Sequence, residues 1–258
     1  MTTFEECRQD LLERGGPPAL RAYDRWLNRP GYQEVHALVH GFEHAYLGRI
    51  TRDEMQEVRA RSAHALGDVR TGEQRPEVED AGPPFAYQHL FHLYIEQHQA
   101  VPTWQAFSGW LRRGAAREMF LRPLLEDIGF YAAERPERVR LGRAVQWRLG
   151  KFYYSAMREL DIQVRLREDH GLPLRYHLFA DVLLRTDFWL GDDLVCVYFA
   201  NPKYRDREAG RKPPAAAFLG QATPPFTIHH VGIERQGFGK FWLASDASIA
   251  DLARRLGA

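Results

Sequence analysis

Three side chains in the C-terminal half offer chemistry: Asp181, Asn201 and Lys203. They flank the stretch LFADVLLRTDFWLGDDLVCVYFANPK, residues 178–203, which reads as two strands and a tight turn. Residues 181–190 are rich in Val, Leu, Phe and Trp and predict the first strand. Gly191-Asp192-Asp193 supplies the turn. Residues 194–200 form an unbroken apolar run, the pattern of a strand buried on both faces. Side chains two apart on an extended chain share a face, so Asn201 and Lys203 point together. A hairpin brings that pair toward Asp181. An acid and a lysine at paired strand ends suit metal-assisted phosphodiester cleavage. The carboxylate holds a hard cation such as Mg2+. The cation polarises the phosphate and activates a water, which the lysine positions or deprotonates.

This layout resembles the PD-(D/E)XK nuclease superfamily, the fold of many restriction endonucleases. In that family an Asp opens the second strand of the core, and an acid, any residue and a lysine lie on the third. Asp181 matches the first position and Lys203 the lysine. Asn201 stands where the second acid belongs; its carbonyl can ligate a metal but adds no negative charge. The resemblance spans residues 146–245 and implies Mg2+ as cofactor and DNA as partner. It also implies an acid on the helix before the first strand. Glu159, in that helix's last turn, and Gln146, at a more typical distance, compete for this place. If Gln146 and Asn201 are the equivalents, one carboxylate and two amides would hold Mg2+ weakly, because ligand charge governs affinity for a hard cation. Asp187 shares the parity of Asp181 and can add a charge. Downstream, Arg205, Arg207, Arg211 and Lys212 form a basic loop suited to backbone phosphates.

The order of elements agrees with this reading. Residues 137–160 predict a long helix, and 162–167 alternate as a strand before the 178–203 hairpin. A short helix over 215–220, strands over 226–233 and 241–244 and a helix over 248–256 follow. The region before 135 reads as all helix, so the fold class is α+β, with a helical domain over 1–135 and a nuclease-like α/β domain over 136–258. Thr51 and Glu54 have the spacing of a capping box. Residues 67–84 are rich in Gly, Pro and charge and predict a loop. Residues 85–113 read as two helices around Val101-Pro102, the second capped by Thr103. This pair is either a plain helical hairpin or a helix-turn-helix presenting Gln105, Ser108, Arg112 and Arg113 to DNA.

Histidines recur on two predicted helices: His36, His40 and His44, then His89 and His92. They are either neutral side chains packed between helices or a metal site within a bundle. His229-His230 falls in a late strand and points to opposite faces.

Composition excludes several classes. Thirty-five basic residues balance 34 acidic ones, which gives no global nucleic-acid signal. Only Lys151, Lys203, Lys212 and Lys240 are lysines. The two cysteines, Cys7 and Cys196, make no disulfide framework. No signal-peptide pattern or membrane-length apolar run is present, so a cytoplasmic protein is expected. Nucleotide-loop, zinc-protease and serine-hydrolase motifs are absent. Two functions remain: a metal-dependent DNA endonuclease or nickase, or a non-catalytic module of the same fold that binds DNA or a protein partner.

Overall fold

Thr3 starts the first helix. Its hydroxyl accepts the Glu6 N–H while the Glu6 carboxylate accepts the Thr3 N–H, at 3.2 and 2.8 Å. This reciprocal cap satisfies two donors that the first helical turn leaves open. The computed structural model describes residues 2–70, 73–199, 214–233, 236–238 and 241–257. Helices α1 (Phe4–Cys7), α2 (Gly16–Leu27), α3 (Gln33–His40), α4 (Arg52–Arg61), α5 (Pro76–Asp80), α6 (Tyr87–His98), α7 (Trp104–Leu111), α8 (Gly114–Ala116) and α9 (Arg122–Asp127) precede the long α10 (Arg135–His170). Strands β1 (Phe188–Leu190) and β2 (Asp193–Phe199), helix α11 (Ala216–Leu219), strands β3 (Thr227–Ile233), β4 (Gln236–Phe238) and β5 (Phe241–Leu243), and helix α12 (Asp246–Arg255) complete the α+β fold.

The chain divides into two compact units that interleave in sequence. One takes in residues 1–52, 159–238 and 242–258; the other takes in 53–158 and 239–241. The first holds the mixed sheet, in the order β1-β2-β3. β1 and β2 are antiparallel with Trp189 opposite Leu194, and β2 and β3 are parallel with Val195 opposite His229. Arg175 flanks β1 on its other side, exchanging two backbone hydrogen bonds with Trp189 at 2.8 and 3.1 Å. Gly191 takes a φ of +57° in the β1–β2 turn, which glycine adopts without steric cost.

Two expected strands form helix instead. Residues 162–167 belong to α10. Their alternation does not mark a solvated face, because residues 160–166 are buried all round. The polar members find partners inside: Gln163 donates to the Leu174 carbonyl, and Arg165 donates to the Ala244 carbonyl and the Asp246 carboxylate. Of residues 181–190, only 188–190 are strand. Ala180–Leu184 is a π-helical turn, which buries Ala180 and Leu184 one turn apart. The helix expected to carry His36, His40 and His44 also ends early, at Gly41, leaving His44 beyond it.

Asp10 ties the first helical segment to β1. One carboxylate oxygen accepts both the Trp189 indole N–H at 2.9 Å and Arg175 at 2.7 Å. Trp189 is fully buried, so its N–H has no water to fall back on. Nearby, His177 is buried with both ring nitrogens engaged. Nε2 donates to the Phe42 carbonyl at 3.3 Å, and Nδ1 accepts from the Phe179 N–H at 3.1 Å. Only the neutral ring makes both bonds.

Two expectations follow. Asp10→Ala orphans the buried indole and should cost about 1–3 kcal/mol in denaturant unfolding, whereas Asp10→Asn keeps an acceptor and should cost less. Burial pushes His177 down from 6.5 to about 4. A depressed histidine contributes stability that is present above the unfolded value and lost as pH falls toward the folded one. Wild type should therefore lose melting temperature between pH 6.5 and 4, and His177→Gln should show a shallower slope across that window.

Candidate functional site

Tyr176, within the first unit, gathers the acids. It is 2% exposed, and its hydroxyl donates to an Asp181 carboxylate oxygen at 2.9 Å. Burial pushes the phenol well above its ordinary range. The negative charges of Asp181, Glu159 and Asp187 act in the same direction. Three carboxyl groups thus lie within electrostatic reach of one phenol. They come from three places: the C-terminal half of α10, the π-helical turn and the approach to β1.

Asp187 is fixed by the sheet. Its N–H donates to the Val195 carbonyl at 3.1 Å, and its carboxylate accepts the Val197 N–H at 2.5 Å. The residue as a whole is only half-buried, yet protein crowds its carboxyl group. Loss of surrounding water pushes that carboxyl well above the usual carboxylate range, and neighbouring Asp181 pushes it further. The Val197 bond and the charge of Arg185 oppose the shift but do not overcome it. Asp187 therefore holds a proton at pH values where an exposed aspartate is ionised. The Cys196 thiol donates to the Arg185 carbonyl at 3.4 Å. Burial and then Asp187 push that thiol up to about 12, which removes it as a nucleophile.

The structure sets Asp181 and Asp187 within electrostatic reach of each other, while Glu159 acts only on the shared phenol of Tyr176. Asp181 occupies helical backbone rather than a strand end. Asn201, Lys203, Arg205, Arg207, Arg211 and Lys212 lie outside the described residues. Gln146 belongs to the second unit, where its side-chain amide donates to the Leu66 carbonyl at 3.4 Å. Tyr176 and Arg185 escaped the sequence reading, because neither type nor spacing marks them until the chain is folded.

Other candidates have structural roles. Helices α6 and α7 form the expected pair, with Thr103 capping the second through the Ala106 N–H. The Gln105 amide is committed, accepting from the Ala63 N–H at 2.8 Å and donating to the Arg61 carbonyl at 2.9 Å. It is not available to read a base edge. His36 donates to the Trp26 carbonyl at 2.9 Å, and His40 pairs with the Tyr23 hydroxyl at 3.1 Å. His229 meets Asp193 at 2.7 Å across the sheet. Among the described residues, no group of three or more His, Cys, Asp or Glu side chains is arranged to hold a metal.

Comparison with known proteins finds no matching family model, no curated relative and no similar solved structure.

The carboxyl cluster carries a stability signature. A raised Asp187 favours folding below the unfolded value near 3.8 and progressively less as pH rises through its folded value. Asp187→Asn removes the penalty and keeps an oxygen for the Val197 N–H. The variant should melt at a higher temperature than wild type at pH 7, and the gap should close near pH 4.

Proposed function

We propose that this chain is a metal-dependent DNA endonuclease or nickase acting in the cytoplasm, with the carboxyl cluster as its cation site. The observation that carries the reading is the meeting of Asp181 and Asp187 beside Tyr176 at the entrance to β1. The sheet agrees with it in part: an antiparallel hairpin is followed by a parallel strand beyond α11, but residues 162–167, expected as the first of three strands before that helix, are helical.

The donor types, two aspartates, suit a magnesium ion. Mg2+ is usually held by one or two carboxylates, with water and substrate phosphate filling the remaining positions. Asp181 and Asp187 would hold it, with Glu159 near by. When bound, the ion supplies charge to the phosphate and lowers the pKa of a coordinated water. Asp187 must release its proton to serve as a ligand, so affinity should rise with pH. Tyr176 orients one Asp181 oxygen. Asn201 would add a carbonyl oxygen and Lys203 would act on the attacking water. Arg205, Arg207, Arg211 and Lys212 would neutralise backbone phosphates.

A second reading has its own support. A proton on Asp187 and the lack of a three-ligand group among the described residues suit a non-catalytic module that binds DNA or a protein partner. No helix among the described residues is long and apolar enough to cross a membrane.

Four variants separate the readings. Asp181→Ala should abolish Mg2+-dependent cleavage without unfolding the chain. Lys203→Ala should abolish cleavage but spare Mg2+ binding measured by calorimetry. Asn201→Asp should tighten Mg2+ binding and keep or raise the rate. Replacing Arg205, Arg207 and Arg211 together by Ala should weaken DNA binding and flatten its salt dependence. A wild-type protein that cuts neither single- nor double-stranded DNA with Mg2+ or Mn2+, alone or with its natural partners, would sink the enzymatic reading.

A further inference from the structure

Arg185 follows the π-helical turn and carries two costs at once. Its backbone sits in the left-handed region at φ +63°, where a residue with a Cβ is strained by roughly 1–2 kcal/mol. Its own N–H closes the turn onto the Ala180 carbonyl, and its carbonyl accepts from Cys196. Its side chain is half-buried, and the Nε atom is shielded from water without a hydrogen-bond partner. Among the described residues the guanidinium makes no ion pair. Asp181 and Asp187 act on it electrostatically, but one oxygen of each is taken, by Tyr176 and by Val197. A shielded Nε without a partner is costly, and planar N–H forks match oxyanions. Glycine would fit this backbone without strain. Asp181 and Asp187 favour a cation here without pairing with it, and an arriving anion would give the guanidinium a direct partner.

We propose that Arg185 is an oxyanion-binding residue that clamps a phosphate group of the substrate beside the carboxyl cluster. The identity of the ligand rests on the phosphodiester reading; the anion site itself does not require the cation. The guanidinium would donate through its two terminal nitrogens to two phosphate oxygens. The left-handed backbone would hold it between the π-helical turn and β1.

Inorganic phosphate is the probe, tested on the full chain against sodium chloride at matched ionic strength. Phosphate should raise the melting temperature of wild type, and Arg185→Met should lose that shift, with phosphate affinity weakened at least tenfold by calorimetry. Without phosphate, Arg185→Met should be at least as stable as wild type, because a shielded charge has been removed. The competing role is a counter-charge for Asp181 and Asp187. In that case Arg185→Met would be less stable without phosphate, and phosphate would leave wild type unmoved; that result overturns the proposal. A phosphate shift of equal size in wild type and Arg185→Met also overturns it, since the anion then binds elsewhere. Should Arg185→Met not fold, Arg185→Lys decides: a folded variant with at least tenfold weaker phosphate binding supports the fork geometry, and unchanged binding refutes it. The Asp181→Asn, Asp187→Asn double variant separates this inference from the nuclease reading. Phosphate binding that persists there, with wild type unable to cut DNA, leaves the anion site and removes the nuclease. Cleavage by wild type without any phosphate shift does the reverse.

Discussion

The burial of residues 160–166 on every side is the constraint on which the first unit depends. A helix segment surrounded by protein must neutralise each polar side chain internally. Gln163 does so by holding the Leu174 carbonyl, which sets the path of the chain into Tyr176. Arg165 does so by holding the Ala244 carbonyl and Asp246, at the start of α12. Arg167, one turn on, donates to the carbonyls of Gly48 and Ile50. One helix end thus collects the N-terminal region, the approach to the site and the C-terminal helix. Glu159 enters the carboxyl cluster because it immediately precedes this locked segment.

The cluster is a place of opposed charges held short of mutual satisfaction. Tyr176 and Val197 each occupy an oxygen of a different aspartate, while Arg185 neutralises neither directly. Low water access raises the energy of the ionised forms of Asp187, Tyr176 and Arg185. Such tension is common at functional sites, although structural ion networks also perturb titration. The π-helical turn and the left-handed residue after it are local irregularities of the kind that accompany function.

The sequence showed the architecture better than the site. The hairpin turn at Gly191, strand β3, helix α11, the Thr103 cap and α12 all announce themselves through turn residues, β-branched runs or capping types. The misread segments share one cause. Alternation over 162–167 and the Val-Leu-Leu run after Asp181 were read as strands because apolar content was assigned to a sheet face. Tertiary burial decided otherwise, by surrounding the first completely and by placing Ala180 and Leu184 one turn apart. Asp187 could be singled out by parity with Asp181, although that parity assumed a strand that does not form. The actual reason they meet is that a π-helical turn folds Asp181 back toward the β1 entrance. Tyr176 and Arg185 are invisible in the sequence because the π-helical turn that brings them to Asp181 falls where the pattern predicts an extended strand.

The interleaving of the two units bears on how the chain is made. The second unit is nearly continuous, residues 53–158, and has its own buried hub, where Ser62, Tyr153 and the Pro102 carbonyl share hydrogen bonds. The first cannot close until residues 159 onward exist, because Asp10 waits for Arg175 and Trp189, and the β2–β3 ladder joins Asp193 to Thr227. During synthesis the opening 52 residues leave the ribosome long before their partners. Domains fold as units, N-terminal first where they can, and non-local pairing is slow. This chain reverses that order: its middle can fold while residues 1–52 still lack the later segments they pack against.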